Sequence, residues 1–207
     1  MKKLHLVAIT LFALCSGFIV SWLVYDSRPV TLEAGHWFAD QAKILPEFQL
    51  IDHDNQSLGH PQLTGKWSLM FFGYTNCPDI CPTSLQTLSE VMSAIDDPDV
   101  RNAVQVIFVS VDPDRDSPEV LKTYVHYFND DFIGATAPVS DLNRLTNVLG
   151  IAHSRDQSSE NQASYDVSHS AAIILIDPEV RYAGLFGAPH DASAMARDLV
   201  KIVERNW

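Results

Sequence analysis

Basic side chains are scarce in this sequence. Lys and Arg number 14 in 207 residues against 26 Asp and Glu, a formal net charge of −12. A nucleic-acid binder needs cationic side chains to displace counterions from phosphates, so this balance argues for no nucleic-acid partner. It suits cations and basic proteins instead. Cysteine is scarcer still, with only Cys15, Cys77 and Cys81. Three cysteines do not make a closed disulfide framework, so each is read by its position. With 9 Gly, 11 Pro and 46% hydrophobic residues, the chain is not collagen-like, low-complexity or disordered. Phosphate-cradling glycine loops, a G-x-S-x-G elbow and an H-E-x-x-H pair are absent, which leaves nucleotide and hydrolase chemistry without support. The length fits one globular domain with a small addition, large enough to bury a core without disulfide staples.

Charge is missing altogether from Leu4 to Tyr25, a stretch of 22 residues that also lacks Pro. As a helix it would be about 30 Å long, the thickness of a bilayer core. Trp22 and Tyr25 sit at one end, where aromatic residues favour the interface, and Lys2 and Lys3 flank the other. The run is longer than the apolar part of a cleaved signal peptide, and no A-x-A pattern closes it. Leu14 precedes Cys15, where a lipoprotein would carry a small residue. The reading is a single-pass anchor in a bacterial inner membrane, with the following domain in the periplasm. The expected organisation is a cytoplasmic tip and transmembrane anchor over 1–27, a tether over 28–45 and a globular domain over 46–207. Cys15 is then an inert apolar residue in lipid. Residues 1–30 hold only Lys2, Lys3, Arg28 and Asp26 as charges, so the remainder carries 11 basic and 25 acidic residues, a net of −14.

Beyond the tether, Phe48–Ile51 and Leu58–Leu63 flank a polar turn and read as a pair of short strands. Trp67–Phe72, Val104–Val111 and Ala171–Ile176 are short, nearly continuous apolar runs that suit strands buried on both faces. Helical spacing runs from Pro82 to Ile95, where Asp96-Asp97-Pro98 stops it. Ser117 and Pro118 open a second helix reaching Phe128, with Ser117 as N-cap. Leu142–Leu149 is a shorter one ended by Gly150, and Ala192–Val203 is the last. Tyr182–Phe186 can pair with the third buried strand. The polar stretch Ser154–Ser164 reads as a surface loop. Strand, helix, strand, helix, then a hairpin and a closing helix is an α/β pattern.

Cys77 and Cys81 lie in GYTNCPDICP, between a buried strand and a helix. Free N–H groups and partial positive charge at a helix start favour thiolate, the form that attacks disulfides and binds metals. A spacing of four brings two side chains to one side of a helix. A disulfide here would close a very short loop and stabilise little, so a working site is the stronger reading. The spacing alone does not separate redox chemistry from metal binding.

A metal would need a further ligand. Of eight histidines, His5 is in the anchor stretch, His36 in the tether, and His53 and His60 in early turns. His126 is on a helix, His153 borders the polar loop and His190 precedes the last helix. His169 is set apart by its place just before the buried run AAIILI, because strand-end loops approach the junctions where sites form. Two thiolates and one imidazole form a soft set that suits copper, Cu(I) or Cu(II). Structural zinc ordinarily takes a fourth protein ligand, and no obvious one presents itself in the sequence.

The segments FFGYTNCPDICPTSL, IFVSVDPDRDSPEVLKTYV and YDVSHSAAIILID resemble the signature segments of the SCO/SenC family, in matching order, from Phe48 to the C-terminus. The resemblance implies a thioredoxin-like fold, a central mixed sheet flanked by helices, with an N-terminal transmembrane helix. It also implies copper bound by Cys77, Cys81 and His169, and delivery of that copper to the binuclear copper centre of cytochrome c oxidase. The implied partners are the oxidase's copper-centre subunit, other copper chaperones or thiol reductants, and the membrane. Two positions depart from the family's usual pattern: Asn76 stands where His is common before the first Cys, and Ser168 where Asp is common before the ligand His. Neither removes a ligand, and both bear on the surroundings that tune a metal.

The alternative is an enzyme, a periplasmic thiol–disulfide oxidoreductase that uses Cys77 and Cys81 as a redox-active pair without His169. Asp112, Asp114 and Asp116 imitate the start of a calcium loop, but Ser117 and Thr123 occupy the positions that would require Gly and Glu. Asp79, between the cysteines, is either a ligand-orienting group or a first-turn acid.

Overall fold

The computed structural model describes residues 5, 12–18, 20–21, 31–38, 41–155, 167–169 and 171–205, with 153–155 and 167–169 described by their backbone. The chain divides into two units, Met1–Thr31 and Leu32–Trp207. In the first, residues 12–18 and 20–21 are helical. Among the described residues no helix is long and apolar enough to cross a membrane. Most of the Leu4–Tyr25 stretch lies outside those residues, as does the greater part of the loop after Ser154.

The second unit is built on a nine-stranded mixed sheet. Its centre is the strand β5 (Trp67–Gly73), in which every residue is buried. Parallel to it runs β6 (Val104–Ser110), and parallel to β6 runs β7 (Ile133–Thr136). On the other side, β10 (Ile173–Ile176) pairs antiparallel with β5, and β11 (Arg181–Phe186) pairs antiparallel with β10. The continuous apolar runs thus become strands covered on both faces, as their lack of alternation requires. Phe71, Phe72 and Phe108 are wholly buried, each contributing about 2–3 kcal/mol by removing apolar surface from water.

The far edge carries the hairpin of β3 (Gln49–Asp52) and β4 (Ser57–Gly59), joined through β3 to β7. The other edge holds a departure from the sequence reading. Within 28–45, read as a tether, β1 (Gly35–Trp37) and β2 (Lys43–Ile44) both pair with β11. Strands this short are held by backbone hydrogen bonds and need no hydrophobic period of their own. β1 is also fixed by the buried Asp198, whose carboxylate accepts from the backbone N–H groups of Glu33, Ala34 and Gly35 at 2.8–3.1 Å.

The helices are α1 (His60–Leu63), α2 (Ile80–Ala94), α3 (Pro98–Ala103), α4 (Pro118–His126), α5 (Val139–Leu149) and α6 (Ala192–Arg205). Ser117 caps α4 by accepting from the N–H of Val120 at 3.4 Å. Gly150 ends α5 with a left-handed φ of 68°, a conformation that glycine adopts without steric cost. Asp97, expected to stop one helix, opens another: its carboxylate accepts from the N–H of Asp99 at 2.8 Å and Pro98 takes the first position of α3. β7, of sequence IGAT, has too short an apolar signal to stand out. A separate two-stranded ribbon pairs β8 (His153–Arg155) with β9 (Val167–His169), so the stretch read as a loop begins as a strand.

Candidate metal centre

The central strand delivers the cysteines. β5 ends at Gly73, the chain turns through Tyr74–Asp79, and α2 begins at Ile80. Cys81 therefore lies in the first turn of α2, while Cys77 stands in the loop before it. The helix starts earlier than the expected Pro82, and the two sulfurs do not meet by sharing a helix face. They meet because the loop folds back, so that the backbone N–H of Cys81 points at Sγ of Cys77 at 3.4 Å. Asp79 is the residue that opens α2; it is exposed and makes no side-chain cap bond.

The two cysteines are not joined in a disulfide and both are buried, yet unequally: Cys77 keeps 9% of its surface and Cys81 none. Burial pushes the Cys81 thiol well above its ordinary range, and the neighbouring Cys77 adds to the shift, against a hydrogen bond with the backbone of Tyr74. The helix start, expected to favour thiolate, is outweighed at this sulfur by loss of water. A cation placed between two such thiols would restore the balance, since it stabilises both thiolates at once.

The loop is tied down from β6. Asp116, almost wholly buried, accepts from the backbone N–H of Thr75 at 2.9 Å, from its hydroxyl at 2.6 Å and from the hydroxyl of Ser110 at 2.5 Å. Asp112 is fully buried and paired with Arg115, whose guanidinium lies 5.5 Å from the ring centre of Tyr74. Two acids of the calcium-like run are thus spent on holding the cysteine loop. Gly73 makes room: a Cβ there would fall on Sγ of Cys81 and within 2.8 Å of the Phe108 ring. Sequence reasoning missed Gly73 and Thr75, and weighed Asp116 only as part of a calcium-like run. The signals were present, in a glycine closing a buried strand and an acid six residues past another.

His169 closes β9, which touches β5. β10 follows shortly and starts opposite Phe71, near the end of β5 that leads into the cysteine loop. The backbone thus brings residue 169 to the same end of the sheet as Cys77 and Cys81. Nε2 of His190 donates to the carbonyl of Ala171 at 2.9 Å, fixing the segment between β9 and β10. Among the described residues no three His, Cys, Asp or Glu side chains are gathered as a metal site; the His169 side chain is outside that description. His53 and His126 pack edge to face at 4.9 Å beside β7, His60 packs on Phe48, and His36 is exposed on β1.

The donor chemistry fits copper: two cysteine sulfurs beside a cradle that a single methyl group would fill, with an imidazole-bearing strand at the same sheet end. Comparison with known proteins agrees. A SCO2-like protein of Rickettsia prowazekii is 35% identical over 147 residues, 70% of each chain. A copper-bound ScoI structure from Arabidopsis thaliana shares 30% identity with a TM-score of 0.71, covering 78% of this chain and 99% of its own. Copper-bound ScoI of Bradyrhizobium japonicum shares 32% with a TM-score of 0.68, covering 76% and 98%. The mixed α/β architecture is the thioredoxin-like Sco fold. The SCO1/SenC family model matches residues 38–204, and the chain belongs to that family.

Proposed function

We propose that the protein is a membrane-anchored copper metallochaperone in which Cys77, Cys81 and His169 bind one copper ion. The observation that carries this reading is the buried cysteine pair at the start of α2, with the N–H of Cys81 directed at Sγ of Cys77. The copper-bound Sco relatives support it. Bound there, copper is cargo, carried by soft donors that release it to a competing thiolate or imidazole site. Family membership supports the binuclear copper centre of cytochrome c oxidase as the acceptor, with the oxidase's copper-centre subunit as partner. The uncharged Leu4–Tyr25 stretch supports a transmembrane anchor over 1–27 at a bacterial inner membrane, with the domain that begins at β1 in the periplasm.

The test is copper titration of the reduced full chain in detergent at pH 7. One copper per chain is expected, lost in Cys77→Ser and in Cys81→Ser. Retention of stoichiometric copper in either variant, or no binding by the reduced wild type, overturns the assignment.

The unequal exposure of the two thiols favours a second reading, reduction of target disulfides. The more accessible Cys77 attacks a target disulfide as thiolate and forms a mixed disulfide. Cys81 then displaces the second target sulfur, leaving a Cys77–Cys81 disulfide and two target thiols. Two electrons pass to the target, and a thiol reductant must return them. His169→Ala separates the roles: copper retention falls while disulfide reduction persists.

A further inference from the structure

The β8–β9 ribbon pairs His153 directly with His169, Ser154 with Ser168 and Arg155 with Val167. Opposed residues of an antiparallel pair belong to the same face, with Cβ atoms about 4.5–5.5 Å apart. Imidazole nitrogens bind metals at about 2.0–2.1 Å, so one ion can take two imidazoles carried at that separation. The register is specific, since a slip of one residue would move His153 to the opposite face. The ribbon belongs to no other sheet, and β9 touches β5, which leads into the cysteine loop. Two thiolates and one imidazole also leave Cu(II) one ligand short of four.

We propose that His153 is a further ligand of the copper centre, completing a two-thiolate, two-imidazole set when the metal is Cu(II). The inference rests on the copper reading given above. Its chemical consequence is selectivity between oxidation states. Two thiolates satisfy low-coordinate Cu(I) without His153, whereas the added nitrogen stabilises Cu(II). His153 thereby favours retention of the oxidised ion.

The experiment loads the full chain in detergent separately with Cu(I) and Cu(II). Affinities are measured by chelator competition, and imidazole nitrogens on Cu(II) are counted by pulsed EPR. The expected result is two nitrogens in the wild type and one in His153→Ala and His153→Gln. Cu(II) affinity falls by about tenfold or more while Cu(I) affinity stays within about threefold. Equal thermal midpoints of the two variants and the wild type establish that the fold is intact. A single nitrogen in the wild type, or Cu(II) binding unchanged in both His153 variants, overturns the inference. If Cys77→Ser abolishes copper binding in the same series, that failure belongs to His153 alone; if Cys77→Ser keeps its copper, the metal centre itself is refuted.

Discussion

The carboxylate of Asp116 accepts from both hydrogen-bond donors of Thr75, the hydroxyl at 2.6 Å and the backbone N–H at 2.9 Å. Thr75 stands two residues before Cys77, and Asp116 follows β6, so a contact across 41 residues sets where the cysteine loop lies. The third bond, from Ser110, anchors the carboxylate to the strand end itself.

Asp116→Ala removes the shared acceptor and leaves the buried Ser110 hydroxyl and the two part-buried donors of Thr75 without it. The cost is about 3 kcal/mol, because each orphaned buried group forfeits its solvation. Urea denaturation should show that loss, and copper affinity of the folded fraction should fall with it. Unchanged stability would mean that Thr75 is held by something else.

Gly73→Ala places a methyl group on Sγ of Cys81 and against the Phe108 ring. Neither neighbour has room to yield, since both are fully buried. Overpacking of this kind costs about 1–3 kcal/mol. The variant should be less stable and should bind copper more weakly than wild type, in the same titration used for the cysteine variants. Wild-type binding would show that the Cys81 sulfur shifts freely.

Tyr124 on α4 packs its ring 5.5 Å from those of Phe108 and Phe128, and its buried hydroxyl has no hydrogen-bond partner among the described residues. Burial raises the hydroxyl above its ordinary range, and the two cysteines and Asp116 push the same way. Tyr124→Phe deletes a desolvated polar atom while keeping the ring. Stability should stay level or rise by up to about 1 kcal/mol in urea. A clear loss would reveal a partner for the hydroxyl.

Glu33 ties the strand-bearing segment to α6, with Arg197 at 2.6 Å and Lys201 at 2.9 Å. The Arg197 hydrogen bond, then that of Lys201, lowers its carboxyl from 4.5 to about 2. A folded pKa below the unfolded one contributes stability above pH 4.5 that is lost as pH falls from 4.5 through about 2. Across that window the wild type should lose stability more steeply than Glu33→Gln, read as urea midpoints at successive pH values. Parallel curves would exclude the coupling. Salt should weaken it, since the group is exposed.

Much of the scaffold was legible because its signals are local. WSLMFF, VQVIFVSV and the IILI of AAIILI have no alternation, and each became a strand buried on both faces, while Ala171 and Ala172 stay outside β10. Ser117 and Gly150 announced helix ends through cap chemistry that involves only neighbours. β1, β2 and β7 were not legible: they are three, two and four residues long, and their place depends on a partner strand already formed. Asp97 was read as a stop when it is also a start, since the same carboxylate that breaks one helix caps the next.

By itself the sequence determined the acidic balance, the uncharged N-terminal stretch, the buried strands and a pair of cysteines at a strand-to-helix junction, all properties of composition and short-range spacing. The tertiary structure alone decided that Gly73 yields space to Cys81, that Asp116 holds Thr75, and that His153 stands opposite His169. Those relations join residues distant in the chain, and only sheet pairing and core packing bring such residues together.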